Sequence, residues 1–322
     1  MLRKISLSGL ALMAALVPCS GLAIEAKPSG VVQAVMGLRV GATFDGKAWI
    51  GGHFQNFPEV SMSPSHHVGD KLTVYDGPGW ESDKVAYRLY LDGRNAIDLF
   101  GKKQPDLILD KIGRGVGDYH KEAPWGMDIL KVDKSVGAGG LGILQDGKVR
   151  QVGAAQDGIV ARVTADGPAV AGIKVEDLGL TSAGTAYDLT AQYTIAPGHR
   201  ETWVTARASK DVPIVAGIEK PSDVDVLYSP KAKHTGWAYI ATYGKQSIIG
   251  DALGIVVFYR PRDVVATGDD GDTVFIRFKT PHAIHYGLAA AWSQEGGGIT
   301  NEADFVTYIN GVLANCEQRG HC

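Results

Sequence analysis

Residues 83–142 carry most of the side chains in this chain that are suited to moving protons or holding a charged ligand. Arg88, Asp92, Arg94, Asp98, Lys102, Tyr119, His120, Trp125, Asp128 and Lys131 all fall there, punctuated by glycines. A strand-rich core tolerates few such groups, because a buried charge costs several kcal/mol unless it is paired. The segment is therefore expected to line a polar site. It matches no standard catalytic pattern, so a site is easier to read from it than a reaction.

In Tyr87-Arg-Leu-Tyr-Leu-Asp92, strand alternation puts Arg88, Tyr90 and Asp92 on one face. Such a face is either a solvated surface with internal ion pairs or the floor of a groove. Arg94 and Asp98 extend the polar pattern, and an arginine fork suits a carboxylate such as that of an acidic sugar. Gly115-Val-Gly-Asp-Tyr-His120 follows, with glycines that permit a tight backbone. Histidine is the side chain best poised for proton transfer near neutrality. A tyrosine can serve when nearby cations such as Lys102, Lys121 and Lys131 assist it. The plainer reading of His120 is a loop-capping histidine. Neighbours in a strand face opposite ways, which weakens Tyr119 as its companion. Trp125 beside Gly126 resembles a sugar-stacking platform, with a core tryptophan as the alternative. Asp128 and Lys131 are either an ion pair or members of the site.

Weaker signals lie elsewhere. Tyr243, Lys245 and Gln246 cluster at a strand end, and His285, Trp292 and Glu295 flank another strand. His282-x-x-His285 and His66-His67 lack a third ligand at metal spacing, so no metal is expected. Gly137-Ala-Gly-Gly-Leu-Gly142 lacks the lysine and the following helix of a phosphate loop. No cofactor is expected. Glu176, Asp177, Glu201, Asp251 and Glu295 include no pair that sequence alone can place at glycosidase spacing.

The elements that must position these groups are mostly strands. Runs at Leu72–Tyr75, 85–91, 158–164, 169–175, 187–195, 201–208, 214–217, 236–242, 254–259, 273–279 and 285–291 are rich in β-branched and aromatic residues. Turn signals such as Gln145-Asp-Gly147 and Ala196-Pro-Gly198 separate them. Two first strands are expected around Val31–Val35 and Leu38–Phe44, with 52–70 an irregular loop near the site. The pattern reads as all-β, one large antiparallel β-sandwich with a short C-terminal helix. That helix starts at the cap Asn301 and runs to Asn315, with Phe305, Ile309, Val312 and Leu313 as its apolar stripe.

Residues 1–23 read as a signal peptide. Arg3 and Lys4 precede an apolar run too short to span a bilayer, and Gly21-Leu22-Ala23 suits cleavage. Cys19 follows Pro18 rather than the small residue of a lipoprotein box, so no membrane anchor is expected after cleavage. A single domain, 24–322, is then expected in the periplasm or outside the cell. Cys316 and Cys322, the remaining even pair, are expected to form a disulfide that pins the tail. The net charge of −3 gives no basic field for nucleic acid.

Ala86-Tyr-Arg88 with Asp92 and Arg94, Ala96-Ile-Asp-Leu-Phe-Gly-Lys102, Tyr119-His120, Trp125-Gly-Met-Asp-Ile-Leu-Lys131, Ala138-Gly-Gly140, Gly167-Pro168, Thr242-Tyr-Gly-Lys-Gln246 and Ala290-Ala-Trp292 together resemble a family of exported bacterial proteins catalogued as domain of unknown function 4861. The resemblance runs from about Trp80 to Leu313. It implies a sandwich like that of galactose mutarotase and of polysaccharide lyases (a supersandwich), and a setting in the breakdown of uronic-acid-rich, pectin-type glycans. It implies no agreed reaction, so the residue roles rest on chemistry alone.

Four functions compete. In a lyase working by β-elimination, Arg88 or Arg94 would neutralise the substrate carboxylate, His120 would be the base and Tyr119 or Tyr243 the acid. A mutarotase or isomerase would pair His120 with a carboxylate such as Asp128 or Glu295. A glycan-binding module would use Trp125, Trp237 and Trp292 as platforms. A glycoside hydrolase would use two carboxylates. The partner in each case is an oligosaccharide or polysaccharide, and substrate contacts are expected from Arg94, Asp92, Lys102, Trp125, Tyr243, Lys245, Gln246, His285 and Trp292.

Overall fold

A computed structural model describes residues 32–115, 117–230 and 236–319. The expected signal peptide and Cys322 lie outside the described residues. Cys316 is buried at the end of the C-terminal helix.

Alternation builds two facing layers. One is a nine-stranded antiparallel sheet. Its order is Asp225–Tyr228, Ala238–Gly244, Leu253–Tyr259, Ile284–Trp292, Thr202–Ala208, Thr185–Ile195, Ala171–Ser182, Gly158–Asp166 and Glu59–Met62. Against it lie two five-stranded sheets. The first runs Val32–Val35, Gly79–Ser82, Val85–Leu89, Ile97–Lys102, Gly126–Asp128. The second runs Lys148–Arg150, Ala138–Gln145, Ile214–Glu219, Thr273–Phe278, Val264–Asp269. An isolated parallel bridge between Ile97 and Gly137 joins these two sheets into one layer.

The layers are held by one apolar core with polar stitches. Trp80 stacks between Tyr87 and Tyr193, with ring centroids 5.6 and 5.0 Å away. Its indole N–H donates to Thr202 Oγ1 at 2.8 Å. The Tyr286 hydroxyl donates to the Gly139 carbonyl at 2.8 Å. These two buried aromatic polar tips thus find partners, which offsets the cost of burying them.

The helix Glu302–Arg319 packs on the outer side of the nine-stranded sheet. Tyr243, Val256, Phe258, Ala289 and Ala291 face it, while Ile240, Ile255, Val257 and Ala290 face the sandwich core. Its stripe is Phe305, Ile309, Val312 and Leu313, as the sequence periodicity requires. Asn301 Oδ1 accepts the Asp304 N–H at 2.9 Å, a side-chain N-cap. The helix runs four residues past Asn315, to Arg319.

Two expectations are corrected. Leu72–Tyr75 is not a strand. Residues Val74–Asp76 form a single 3-10 turn, with Tyr75 and Asp76 in the left-handed region (φ 40° and 66°). The apolar residues there serve a small core with Phe100, Ile108 and Leu109. Residues 52–70 are not wholly irregular, because Trp49–Asn56 completes a two-stranded hairpin with Gly37–Phe44. Glu59–Met62 adds to the edge of the nine-stranded sheet by pairing with Ile159–Arg162. Long-range pairing overrides a weak local signal in both cases. Among the described residues no helix is long and apolar enough to cross a membrane.

Candidate functional site

The outward face of the first five-stranded sheet carries the buried charges. Alternation sends Tyr87, Leu89, Ile97 and Leu99 into the main core. Glu81, Arg88, Asp98, Lys102 and Asp128 point the other way, yet all five are buried. The covering layer is the 103–125 segment with the 71–76 turn, whose apolar side chains make the small core around Phe100.

Arg88 is the hub. Register places Arg88 opposite Asp98, and Phe100 opposite Asp128 on the next strand. One guanidinium nitrogen, Nη2, lies 2.5 Å from Asp98 Oδ2 and 2.6 Å from Asp128 Oδ2, and Nε donates to Asp98 at 3.1 Å. Nη1 donates to the Tyr119 hydroxyl at 3.3 Å and to the Tyr75 carbonyl at 3.4 Å. The Tyr90 hydroxyl also donates to Asp98. Burial works against the charge on Arg88, but Asp98 and Asp128 outweigh it and hold the guanidinium firmly ionised.

Two carboxylates share this one cation, and that imbalance falls on Asp128. Burial first, then the charge of Asp98, push its pKa well above the usual carboxylate range, against the pull of Arg88. Asp128 Oδ1 is buried with no partner in hydrogen-bonding geometry. Its Oδ2 lies 3.7 Å from His120 Nε2. His120 is solvent-exposed at 59%, and its Nδ1 lies 3.1 Å from Asp118 Oδ1. A buried, proton-retaining carboxyl therefore sits directly behind an accessible imidazole.

The expected opposition of Tyr119 and His120 is corrected. They sit in a turn and not a strand, so their rings lie on one side, 4.3 Å apart. Gly115 and Gly117, both at positive φ (88° and 73°), allow this turn. Burial raises the Tyr119 pKa, with Arg88 opposing.

These groups open into a cleft of about 780 Å³. The hairpin supplies Arg39 and His53, the strained turn supplies Lys71 and Asp76, and the glycine turn supplies Arg114 and His120. Arg39 lies over the Phe54 ring at 4.1 Å. Arg94 extends the cluster: it stacks on Tyr90 at 3.5 Å, forks onto Asp92, and reaches Asp76 at 3.6 Å. The site thus gathers Arg88, Tyr119, His120 and Asp128, with Arg94 and Asp92 at its margin.

The other expected residues lie elsewhere. Lys102 is a correction, being sealed from solvent. Its ammonium pairs with Glu81 at 2.8 Å and with the Ser82 carbonyl at 2.6 Å, so it is not available to a ligand. Arg88 as a neutraliser of substrate is a second correction, since it is 3% exposed and its donors are occupied. Lys131 is exposed and pairs with Asp133 at 3.0 Å, outside the cleft. Trp125 is half-buried with its edge toward Phe100, 6.3 Å away. Tyr243 packs beneath the helix on Phe305. Lys245 is exposed, while Gln246 braces its loop by donating to the Leu253 carbonyl at 2.6 Å. Trp292 is buried and donates to Asp251 at 2.9 Å. Glu295 is buried in a bidentate pair with Arg200, 2.8 and 2.7 Å. His285 lies on the nine-stranded sheet, between Trp203 and Trp237.

Sequence reasoning missed Arg39, His53, Lys71 and Arg114. Arg114 and the capping Asp118 were within reach, since they sit in the same glycine-rich segment. Nothing local links the first hairpin to it.

The family model described as domain of unknown function (DUF4861) matches residues 22–319. The chain belongs to the DUF4861 family. Among solved structures, this DUF4861 member is similar to a candidate aldose 1-epimerase from Klebsiella pneumoniae subsp. pneumoniae MGH 78578. The identity is 8%, the match covers 88% of this chain and 95% of that one, and the TM-score is 0.41. No curated protein matches the chain.

Proposed function

We propose that this protein is an acid–base enzyme acting on an acidic glycan, with the cleft beside His120 as its active site. The observation that carries the reading is the exposed imidazole held between Asp118 at 3.1 Å and the buried Asp128 at 3.7 Å. It stands in a cleft whose cations are Arg39, Lys71 and Arg114. Cations of this kind suit a uronate carboxylate.

The favoured reaction is β-elimination. Arg39 or Lys71, and not Arg88, would neutralise the substrate carboxylate, which lowers the cost of removing the adjacent C5 proton, whereas Arg114 is already paired with Asp110 at 3.2 Å. An imidazole that donates Nδ1–H to Asp118 presents Nε2 as the base for that proton. The electron pair left at C5 forms the C4–C5 double bond, and the C4–O bond breaks. The leaving oxygen takes a proton from the Tyr119 hydroxyl, which accepts from Arg88 and is free to donate its own. A tyrosine whose pKa is raised suits the acid role and not the base role. The imidazolium is then stabilised by Asp118, and by Asp128 once that carboxyl has lost its proton. Export, expected from residues 1–23, fits a pectin-type polymer met outside the cytoplasm.

A second reading, sugar mutarotation, draws on the same observation, because an imidazole beside a proton-retaining carboxyl is already an acid and a base. A time course on pectic, alginate and glucuronate oligosaccharides separates the two. New unsaturated-uronate absorbance with chain shortening supports elimination. Accelerated anomer interconversion by polarimetry, with no new absorbance, supports mutarotation. Neither change on any substrate contradicts an enzyme of either kind.

A further inference from the structure

The outer side of the nine-stranded sheet is only partly covered. The helix occupies one end, and an open groove of about 610 Å³ lies on the central strands beyond it. Its floor is a row of outward side chains on four adjacent strands. Lys174 is paired in register with Gln192, Gln192 with Thr205, and Thr205 with His285. Thr190 and Arg207 make the next row. The alternate residues Ile173, Ala191, Val204 and Ile284 are buried in the core, so this face is polar by construction.

His285 bounds the groove on the helix side, and Trp203 and Trp237, outside the groove's lining, make an aromatic wall behind it. Trp203 is opposite Gly287 on the neighbouring strand, and its ring lies so close that a Cβ at 287 would fall 2.5 Å from it. The indole therefore lies across the neighbouring strand, half-exposed. His285 stacks on it at 21°, with Trp237 edge-on behind. Burial, with Arg260 nearby, lowers the His285 pKa, so the wall is uncharged at neutrality.

The rim is cationic. Arg260 sits over Trp237 at 4.7 Å. Lys174 is matched by Glu176, Arg262 lies 3.8 Å from Asp263, and His282 is bonded to Asp211. Arg207 and Arg260 have no carboxylate partner among the described residues. Two guanidiniums with no carboxylate partner among the described residues, amide and hydroxyl side chains in rows, and an imidazole backed by indoles make a surface complementary to an anionic sugar chain.

We infer that this groove is a second glycan-binding surface, separate from the cleft, that holds a uronate-bearing chain between Arg207 and Arg260 against His285. The cleft lies on the outer face of the opposite layer, so one polymer segment is held while another reaches His120. This placement does not depend on which reaction the cleft performs.

The test is calorimetric titration of a galacturonate hexasaccharide into protein carrying His120→Ala, which prevents turnover, with and without Arg207→Ala and Arg260→Ala. Two binding events are expected, one of which weakens about tenfold or more in the double substitution, as loss of a charged hydrogen bond predicts. Arg207→Gln with Arg260→Gln, checked for an unchanged melting temperature, separates lost charge from lost folding and should weaken the same event. Turnover of a disaccharide by protein with an intact His120 should be unaffected by either pair. Unaltered hexasaccharide binding overturns the proposal. Polyphosphate or phosphatidylglycerol vesicles binding this surface as tightly as the hexasaccharide would overturn it too, since the surface would then read charge alone.

Discussion

At the scale of residues, Arg88 decides the charge state of the whole site. It is one cation between two buried carboxylates, and its removal would leave Asp98 and Asp128 without a counter-charge. Arg88→Met should therefore destabilise the fold by about 3–5 kcal/mol in urea unfolding. Asp128→Asn keeps the shape and the Arg88 contact on one oxygen but cannot ionise. Because the Asp128 pKa is raised, the wild-type rate should climb with pH as that carboxyl loses its proton and can stabilise the imidazolium. The Asp128→Asn rate should be lower, about tenfold or more, and should lack that climb; a pH–rate profile of both proteins reads it. Composition alone drew attention to Arg88, Tyr119, His120 and Asp128, because charged and aromatic groups in a strand-rich stretch need partners. It did not say which would be buried. Arg88 and Lys102 looked like ligand contacts, and both are locked into buried pairs, a distinction that depends on what covers the sheet.

At the scale of elements, the strands of the nine-stranded sheet other than Asp225–Tyr228 and Glu59–Met62, and the terminal helix, were legible because each carries its own periodicity. Asn301 illustrates this: the cap, the stripe and the observed hydrogen bond to Asp304 agree. Asn301→Ala should lower stability by about 1 kcal/mol, read as a modest fall in melting temperature with no change in turnover. Leu72–Tyr75 was misread because its apolar residues answer to a small satellite core and not to a sheet. The first hairpin was half-seen. Its strands bring Arg39 and His53 to the cleft through contacts that no local pattern encodes.

At the scale of the molecule, the layered architecture buries polar groups that titrate with folding. Asp177, in the nine-stranded sheet, is fully inside the sandwich and accepts from Asn95 at 2.6 Å. Burial pushes its pKa up from 3.8 to about 7 despite that bond. Between those values the folded protein keeps a proton that the unfolded chain has released. Its contribution to stability therefore falls as pH rises from about 4 to about 7 and is flat above. Asp177→Asn should remove that loss, stabilising the protein at pH 8 by up to about 4 kcal/mol and hardly at all at pH 4. Thermal melts of both proteins across that range check the sign.

The central claim is that His120, backed by Asp128, moves the proton on an acidic glycan. The most direct measurement is the initial rate of unsaturated-uronate formation from pectic oligosaccharides by the wild type and by His120→Ala. Both should have matching melting temperatures, since His120 is exposed. The wild-type rate should fall at least about a hundredfold in the variant. Equal rates in the two proteins would contradict the claim.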